Sequence, residues 1–270
     1  QIQIYYPDKA RTEEARAALS AALELVGAGG TRIEYAEIPD EDWKLSYRRH
    51  FTTERIGRRL VVRPPWEPEP SGGVVVTLDP GLAFGTGKHE TTRACLEYVD
   101  EAAGSPRSFL DMGCGSGILS IAAAKLGYRP VAGFDIDEEA VSAARENAAL
   151  NGVAVDYRVF ALGGGRLTLD ASLEAAKGIY PDLALQGKAP PPLEKPFEPA
   201  DFVVANILGP LLIAFAAEIA GYARDRLVVS GILDELYPDV RAAFSALGFA
   251  EESRKVYGEW TTGLLRRERN

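Results

Sequence analysis

The sequence predicts an α/β fold: a mostly parallel sheet covered by helices on both faces, finished by an antiparallel hairpin and preceded by a small separate α/β unit. Three observations predict it. From residue 74 onward short apolar runs alternate with helical stretches, the pattern of parallel strands joined by crossovers. The run FLDM passes directly into the glycine turn Gly113-Cys114-Gly115-Ser116-Gly117, and the turn passes into a helix. The tail FAEESRKVYGEWTTGLLRR has two β-prone halves around Gly258 instead of one more strand and helix. A plain dinucleotide-binding fold has no such hairpin.

Each element has a local reason. Residues 2–6 alternate and are β-prone. Residues 12–25 are rich in Ala, Leu and Glu behind Thr12 as N-cap, and Gly27, Gly29 and Gly30 end that helix. Residues 31–37 form a second strand, completing a β-α-β unit. Asp40 caps a short helix in IPDEDWKLSYRRHF. The prolines and glycines of 59–73 mark a linker. The chain thus divides into a small N-terminal unit at 1–58, a linker at 59–73, and a larger α/β domain at 74–270. Within the last, strands are expected at 109–112, 130–134, 154–160, 202–205 and 227–230. Helices are expected at 90–102, 118–126, 138–150, 210–222 and 235–247. Residues 161–200, with GGGR and KAPPPLEKPFEP, break the rhythm; a short helix at 171–176 aside, they are either an unstructured insertion or a lid.

Composition bounds the function. At 270 residues, 46% of them hydrophobic, the chain buries a full core without staples. Thirty Lys and Arg against 39 Asp and Glu give a net charge of −9. That balance disfavours sequence-independent nucleic-acid binding, which needs clustered cations, and suits a basic protein partner. The two cysteines, Cys95 and Cys114, form no CxxC pair, and no metal site is expected. No apolar run reaches the ~20 residues of a membrane span, and the start lacks the layout of a signal peptide. A cytoplasmic monomer is expected. Met112 is the only methionine, so the chain is expected to begin downstream of its initiator.

The chemistry concentrates in four segments. In FLDMGCGSGILS a strand carrying Asp111 runs into Gly113, Gly115 and Gly117, where the backbone approaches a ligand closely. The spacing is GxGxG, not GxGxxG. Asp135, about 20 residues beyond the turn, holds the ribose-reading position of nucleotide-binding folds, and a carboxylate there accepts both ribose hydroxyls. Asp137 caps the next helix. Upstream, LDPGLAFGTGKHETT combines glycines, Gly85 among them, with Phe84, which can cover a ligand, and with His89, Thr91 and Thr92 at a helix start. In DFVVANILGP, Asn206 ends the fourth strand. Ligands of open α/β sheets bind at the carboxyl ends of strands, so Asn206 shares an edge with Gly113 and Asp135 and can orient a nucleophile or bind cofactor. His89 is a candidate base, since a histidine titrates near neutrality. Structural alternatives stand beside these: Asn206 as the cap of the next helix, His89 as a packed ring, and the glycine loop as a plain Ω-loop.

Together LDPGLAFGTGKHETT, DMGCGSGILSIAAAKLG, GFDIDEEAV, NAALNGV, VVANIL, VSGIL and the late EW resemble the PrmA family, bacterial enzymes that methylate the eleventh protein of the large ribosomal subunit. The resemblance runs over about 39–261, including IPDEDW and PPW. It implies a class I, Rossmann-like methyltransferase fold with seven strands and S-adenosylmethionine as cofactor. It further implies that Thr92, Gly113, Asp135 and Asn206 bind that cofactor, with Phe84 and its loop closing over it; Gly85, Asp111 and Gly115 belong to the same set. The acceptors it implies are lysine side chains and an N-terminal amine of a ribosomal protein. Asn206 and His89 are then the catalytic candidates. The N-terminal unit is shorter, and 161–200 longer, than in the family. Another protein's lysines, a small molecule or a nucleic acid are the alternative acceptors. NILG in place of an aromatic Asn-Pro-Pro-Tyr turn speaks against a base-amino acceptor.

Overall fold

The structure, a computed structural model, describes residues 51–79, 89–104, 107–165 and 197–268. The β-α-β unit expected before residue 51, Phe84 and Gly85, and the helix expected at 171–176 lie outside the described residues. The chain separates into two units, Gln1–Arg48 and Arg49–Asn270; the description concerns the second.

It begins with a three-stranded sheet: β1 (Glu54–Ile56) antiparallel to β2 (Leu60–Arg63), and β2 parallel to β3 (Val74–Thr77). This differs from the linker expected at 59–73. The prolines of that stretch lie between β2 and β3, whereas Leu60, Val61 and Val62 are buried and hold β2 in place. The buried Asp100 carboxylate ties the β1–β2 turn to the following helix, accepting Arg58 N–H at 2.6 Å and Arg59 Nε at 2.8 Å.

Then come α1 (Glu90–Ala102), β4 (Phe109–Met112), α2 (Ile118–Lys125), β5 (Val131–Asp135), α3 (Glu138–Leu150) and β6 (Asp156–Val159). After the insertion follow β7 (Ala200–Asn206), α4 (Gly209–Ala214), α5 (Ala216–Tyr222), β8 (Ala223–Leu233), α6 (Tyr237–Ser245), β9 (Phe249–Tyr257) and β10 (Trp260–Arg267). The helix expected at 210–222 is two helices, because Phe215 leaves helical geometry at φ −106° and ψ 16°.

The second sheet has seven strands in the order β6-β5-β4-β7-β8-β10-β9. β4 to β8 are parallel; β10 lies antiparallel to both β8 and β9, as expected for the tail around Gly258. Both faces are covered. Phe109, Phe202, Val204 and Val228 pack with α1, α2 and α3. Their neighbours Leu110, Met112, Val203, Ala205, Leu227 and Val229 pack with α4, α5 and α6. This period-two division along fully apolar strands is what a sheet buried on both sides requires. Burying a phenylalanine contributes about 2–3 kcal/mol, and Phe109, Tyr128 and Phe202 also pack ring to ring at 5.5–5.9 Å. The rigid sheet fixes the height at which each strand ends, and the site stands on those ends.

Candidate active site

Strand register sets the site. Met112 of β4 lies opposite Phe134 of β5 and Ala205 of β7, and Asn206 lies opposite Ser230 of β8. One residue further along, Asp135, Gly113, Asn206 and Ser230 therefore form a single row at the carboxyl edge. With strands about 4.8 Å apart, Asp135 and Asn206 stand roughly 10 Å from each other across the glycine turn.

The turn is held from below. Gly113 N–H and Cys114 N–H both donate to the Phe134 carbonyl at 2.9 Å, and Gly117 N–H to the Cys114 carbonyl at 2.8 Å. Gly113, Gly115 and Gly117 have φ of 73°, 49° and 80°, a left-handed region that other residues enter at a cost. At Gly117, the N-cap of α2, a side chain would also collide with the Tyr157 hydroxyl. That hydroxyl pairs with Ser120 Oγ at 2.8 Å beneath the turn.

Asp135 reaches into the turn from β5. Its Oδ2 accepts Gly115 N–H at 2.9 Å and its Oδ1 accepts Asp137 N–H at 3.1 Å. A carboxylate offers about four acceptor positions, so each oxygen keeps capacity for a ligand hydroxyl. Burial pushes this carboxyl up, and the two N–H groups work against the shift. Asp137, as expected, caps α3 by accepting Glu139 N–H at 2.9 Å. Asp111 is fully buried. Its Oδ2 accepts Ser120 N–H at 3.1 Å, while its Oδ1 has no partner. Burial, helped by the charge of Asp135, pushes the Asp111 carboxyl up to about 7. An orphaned acceptor in a dry site costs free energy unless a cation or donor meets it.

The start of α1 forms the other wall. His89 is its N-cap: Nδ1 accepts Thr91 N–H at 3.4 Å and lies 2.8 Å from Thr91 Oγ1. Because Nδ1 accepts, the neutral ring carries its proton on Nε2, an assignment made from its partner. The ring stands edge-on to Trp260 of β10, with centroids 5.1 Å apart. Thr91 and Thr92 are buried. Ser230 Oγ pairs with Thr262 Oγ1 at 2.7 Å and lies 3.4 Å from the Thr91 carbonyl, joining α1 to the row.

These groups fit S-adenosylmethionine by their chemistry. Asp135 has spare acceptor positions for ribose hydroxyls, the orphaned Asp111 Oδ1 suits an ammonium, and the glycines give close backbone approach. Ser230, Thr262 and Trp260 were missed from sequence. Ser230 follows an apolar run as Asn206 does, but nothing in the sequence marks its pairing with Thr262.

Comparison with known proteins bears on this arrangement. The family model of ribosomal protein L11 methyltransferase (PrmA) matches residues 1–268. The chain belongs to the PrmA family. Its relatives include the ribosomal protein L11 methyltransferases of Geobacter sulfurreducens, 42% identical over 86% of this chain and 68% of the relative, and of Azotobacter vinelandii, 41% identical over 84% and 69%. The crystal structure of a ribosomal protein L11 methylase from Lactobacillus delbrueckii subsp. bulgaricus superposes with a TM-score of 0.64 at 28% identity, covering 81% of this chain and all of that one. As a PrmA-family protein the chain is a class I S-adenosylmethionine-dependent protein methyltransferase, with that sulfonium compound as its cofactor.

Proposed function

We propose that the chain methylates ribosomal protein L11 at amines, both lysine side chains and the N-terminal α-amine. The row Asp135–Gly113–Asn206 carries the reading: it sets a ribose-binding acid and an amine-orienting amide on either side of one glycine turn. When bound, S-adenosylmethionine supplies an electrophilic methyl group on a positively charged sulfur. Asp135 accepts its ribose hydroxyls, Asp111 faces its ammonium, and Gly113, Gly115 and Thr92 line its path; the family resemblance adds Phe84 and Gly85 to the cofactor-binding residues. Asn206 accepts an N–H of the acceptor amine through its carboxamide oxygen and so aims the nitrogen lone pair.

The amine must be neutral to attack. For a lysine at pH 7 deprotonation costs roughly 4–5 kcal/mol, for an N-terminal amine only about 1 kcal/mol. Exclusion of water beside a positive centre lowers that cost. His89 uses Nδ1 as a cap, so its Nε2 donates and positions; the proton leaves to water. The first unit, Gln1–Arg48, holds the protein substrate, and the second, Arg49–Asn270, carries catalysis. The −9 charge steers a basic ribosomal protein toward a monomeric, cytoplasmic enzyme that binds no nucleic acid directly. Among the described residues no helix is long and apolar enough to cross a membrane.

The test is transfer from methyl-labelled S-adenosylmethionine into a ribosomal lysate. Label is expected in one small ribosomal protein, with Asn206→Ala greatly reducing it. Label in RNA, or in no macromolecule, would overturn the proposal.

A further inference from the structure

Two asparagines one turn apart on α3 hold the strand that precedes the glycine loop. Asn151, the C-cap of α3, grips Thr77 in both directions: its Oδ1 accepts Thr77 N–H at 2.9 Å and its Nδ2 donates to the Thr77 carbonyl at 2.5 Å. Asn147 does something different. Buried at 4% exposure, it spans two segments: its Oδ1 accepts Asp79 N–H at 3.1 Å and its Nδ2 donates to the Ser116 carbonyl at 3.0 Å.

Ser116 lies inside the turn, between Gly115, whose N–H is held by Asp135, and Gly117, the N-cap of α2. Asp79 follows β3, which belongs to the three-stranded sheet and not to the sheet that carries the turn. One carboxamide thus sets the distance between the two segments. A carboxamide suits this task, since it carries an acceptor for one partner and a donor for the other on separate atoms of one planar group. A carboxylate of the same shape would keep the Asp79 bond and press a negative charge against the Ser116 carbonyl. An alkyl group would remove both hydrogen bonds.

We propose that Asn147 is a positioning residue for cofactor binding. It fixes the Ser116 peptide, and through it the Gly115 and Gly117 backbone, against the segment that leads from β3 into the glycine loop. The inference rests on the reading of Asp135 and the glycine turn as the cofactor site. Asn151 anchors the same strand without touching the turn, so comparing the two separates positioning from plain stability.

The experiment is calorimetric titration of S-adenosylhomocysteine into the full chain and into Asn147→Asp, Asn151→Ala and Asp135→Asn, with a melting temperature for each. Asn147→Asp is expected to raise Kd by about 10-fold, the worth of one hydrogen bond. Asn151→Ala is expected to lower the melting temperature while Kd stays within about twofold. The proposal falls if Asn147→Asp binds within about twofold of the parent, or if Asn151→Ala weakens binding as much. Asn147→Ser, read against the same limits, replaces an Asp variant that does not fold. Asp135→Asn keeps the two readings apart. If it weakens binding and Asn147→Asp does not, the site stands and the positioning role is gone. If it leaves Kd unchanged, the cofactor-site reading itself has failed.

Discussion

Replacing Asp111 with Asn should remove one defined contribution to the loss of stability of the unliganded protein as pH rises. Asp111 is fully buried, one of its oxygens has no partner, and its carboxyl sits at about 7 instead of 3.8. In the unfolded chain the group releases its proton near its ordinary value; in the folded chain it retains the proton to near neutrality. Between those values the folded state binds more protons, so stability falls as pH rises. The penalty is about 2 kcal/mol at pH 5, where only the unfolded form is ionised, and about 4 kcal/mol at pH 8, where both are. Asn removes that titration. It also leaves a buried amide group in search of a partner, at about 1–3 kcal/mol, but that cost does not vary with pH. The readout is therefore the difference in unfolding free energy between variant and parent, by urea denaturation at pH 5 and at pH 8. It should move by about 2 kcal/mol in favour of Asp111→Asn on going to pH 8. A difference that stays constant, or moves the other way, would refute the argument.

Three further outcomes follow from the same geometry. A cofactor ammonium favours ionised Asp111, so S-adenosylhomocysteine should bind about 10-fold more weakly at pH 6 than at pH 8, and this dependence should vanish in Asp111→Asn; calorimetry at the two pH values checks both. Asn206→Ala should lower kcat by about 100-fold while Kd for S-adenosylhomocysteine changes far less, because orientation of the amine is what is lost; an unchanged kcat would remove Asn206 from catalysis. His89→Ala should cost about 1 kcal/mol of stability through the lost cap of α1. Its kcat should fall by less than about 10-fold; a larger fall would restore His89 as a base.

Much of this architecture is legible in the residues, and the exceptions have physical reasons. α1 and α3 begin and end where the sequence places them, because His89, or Asp137 at α3, supplies a side-chain cap and the apolar residues recur at helical spacing. The hairpin is legible because Gly258 separates two β-prone halves. Three features escape. Phe215 divides one apolar helical pattern into two helices without a glycine or proline to announce it. Residues 60–63 form a strand although prolines and glycines follow closely, since burial of Leu60 and Val61 outweighs the punctuation. The placement of Asp111, Gly113, Gly115, Asp135 and Asn206 along one sheet edge is legible because strand ends and glycine spacing mark them. Trp260, Ser230 and Asn147 are not, because each acts through a partner far away in sequence: His89, Thr262 and Ser116. The cap formed by His89 is local, yet a histidine before two threonines resembles a base as much as a cap until Nδ1 is seen to be engaged.

The intact mass of purified ribosomal protein L11 after incubation with this chain and S-adenosylmethionine tests the proposed substrate most directly. The mass should rise in whole methyl increments, with fragment spectra placing them on lysine side chains and the N-terminal amine, and Asp135→Asn should slow the rise. An L11 mass that stays unchanged while the parent protein binds S-adenosylhomocysteine would contradict the assignment of its substrate.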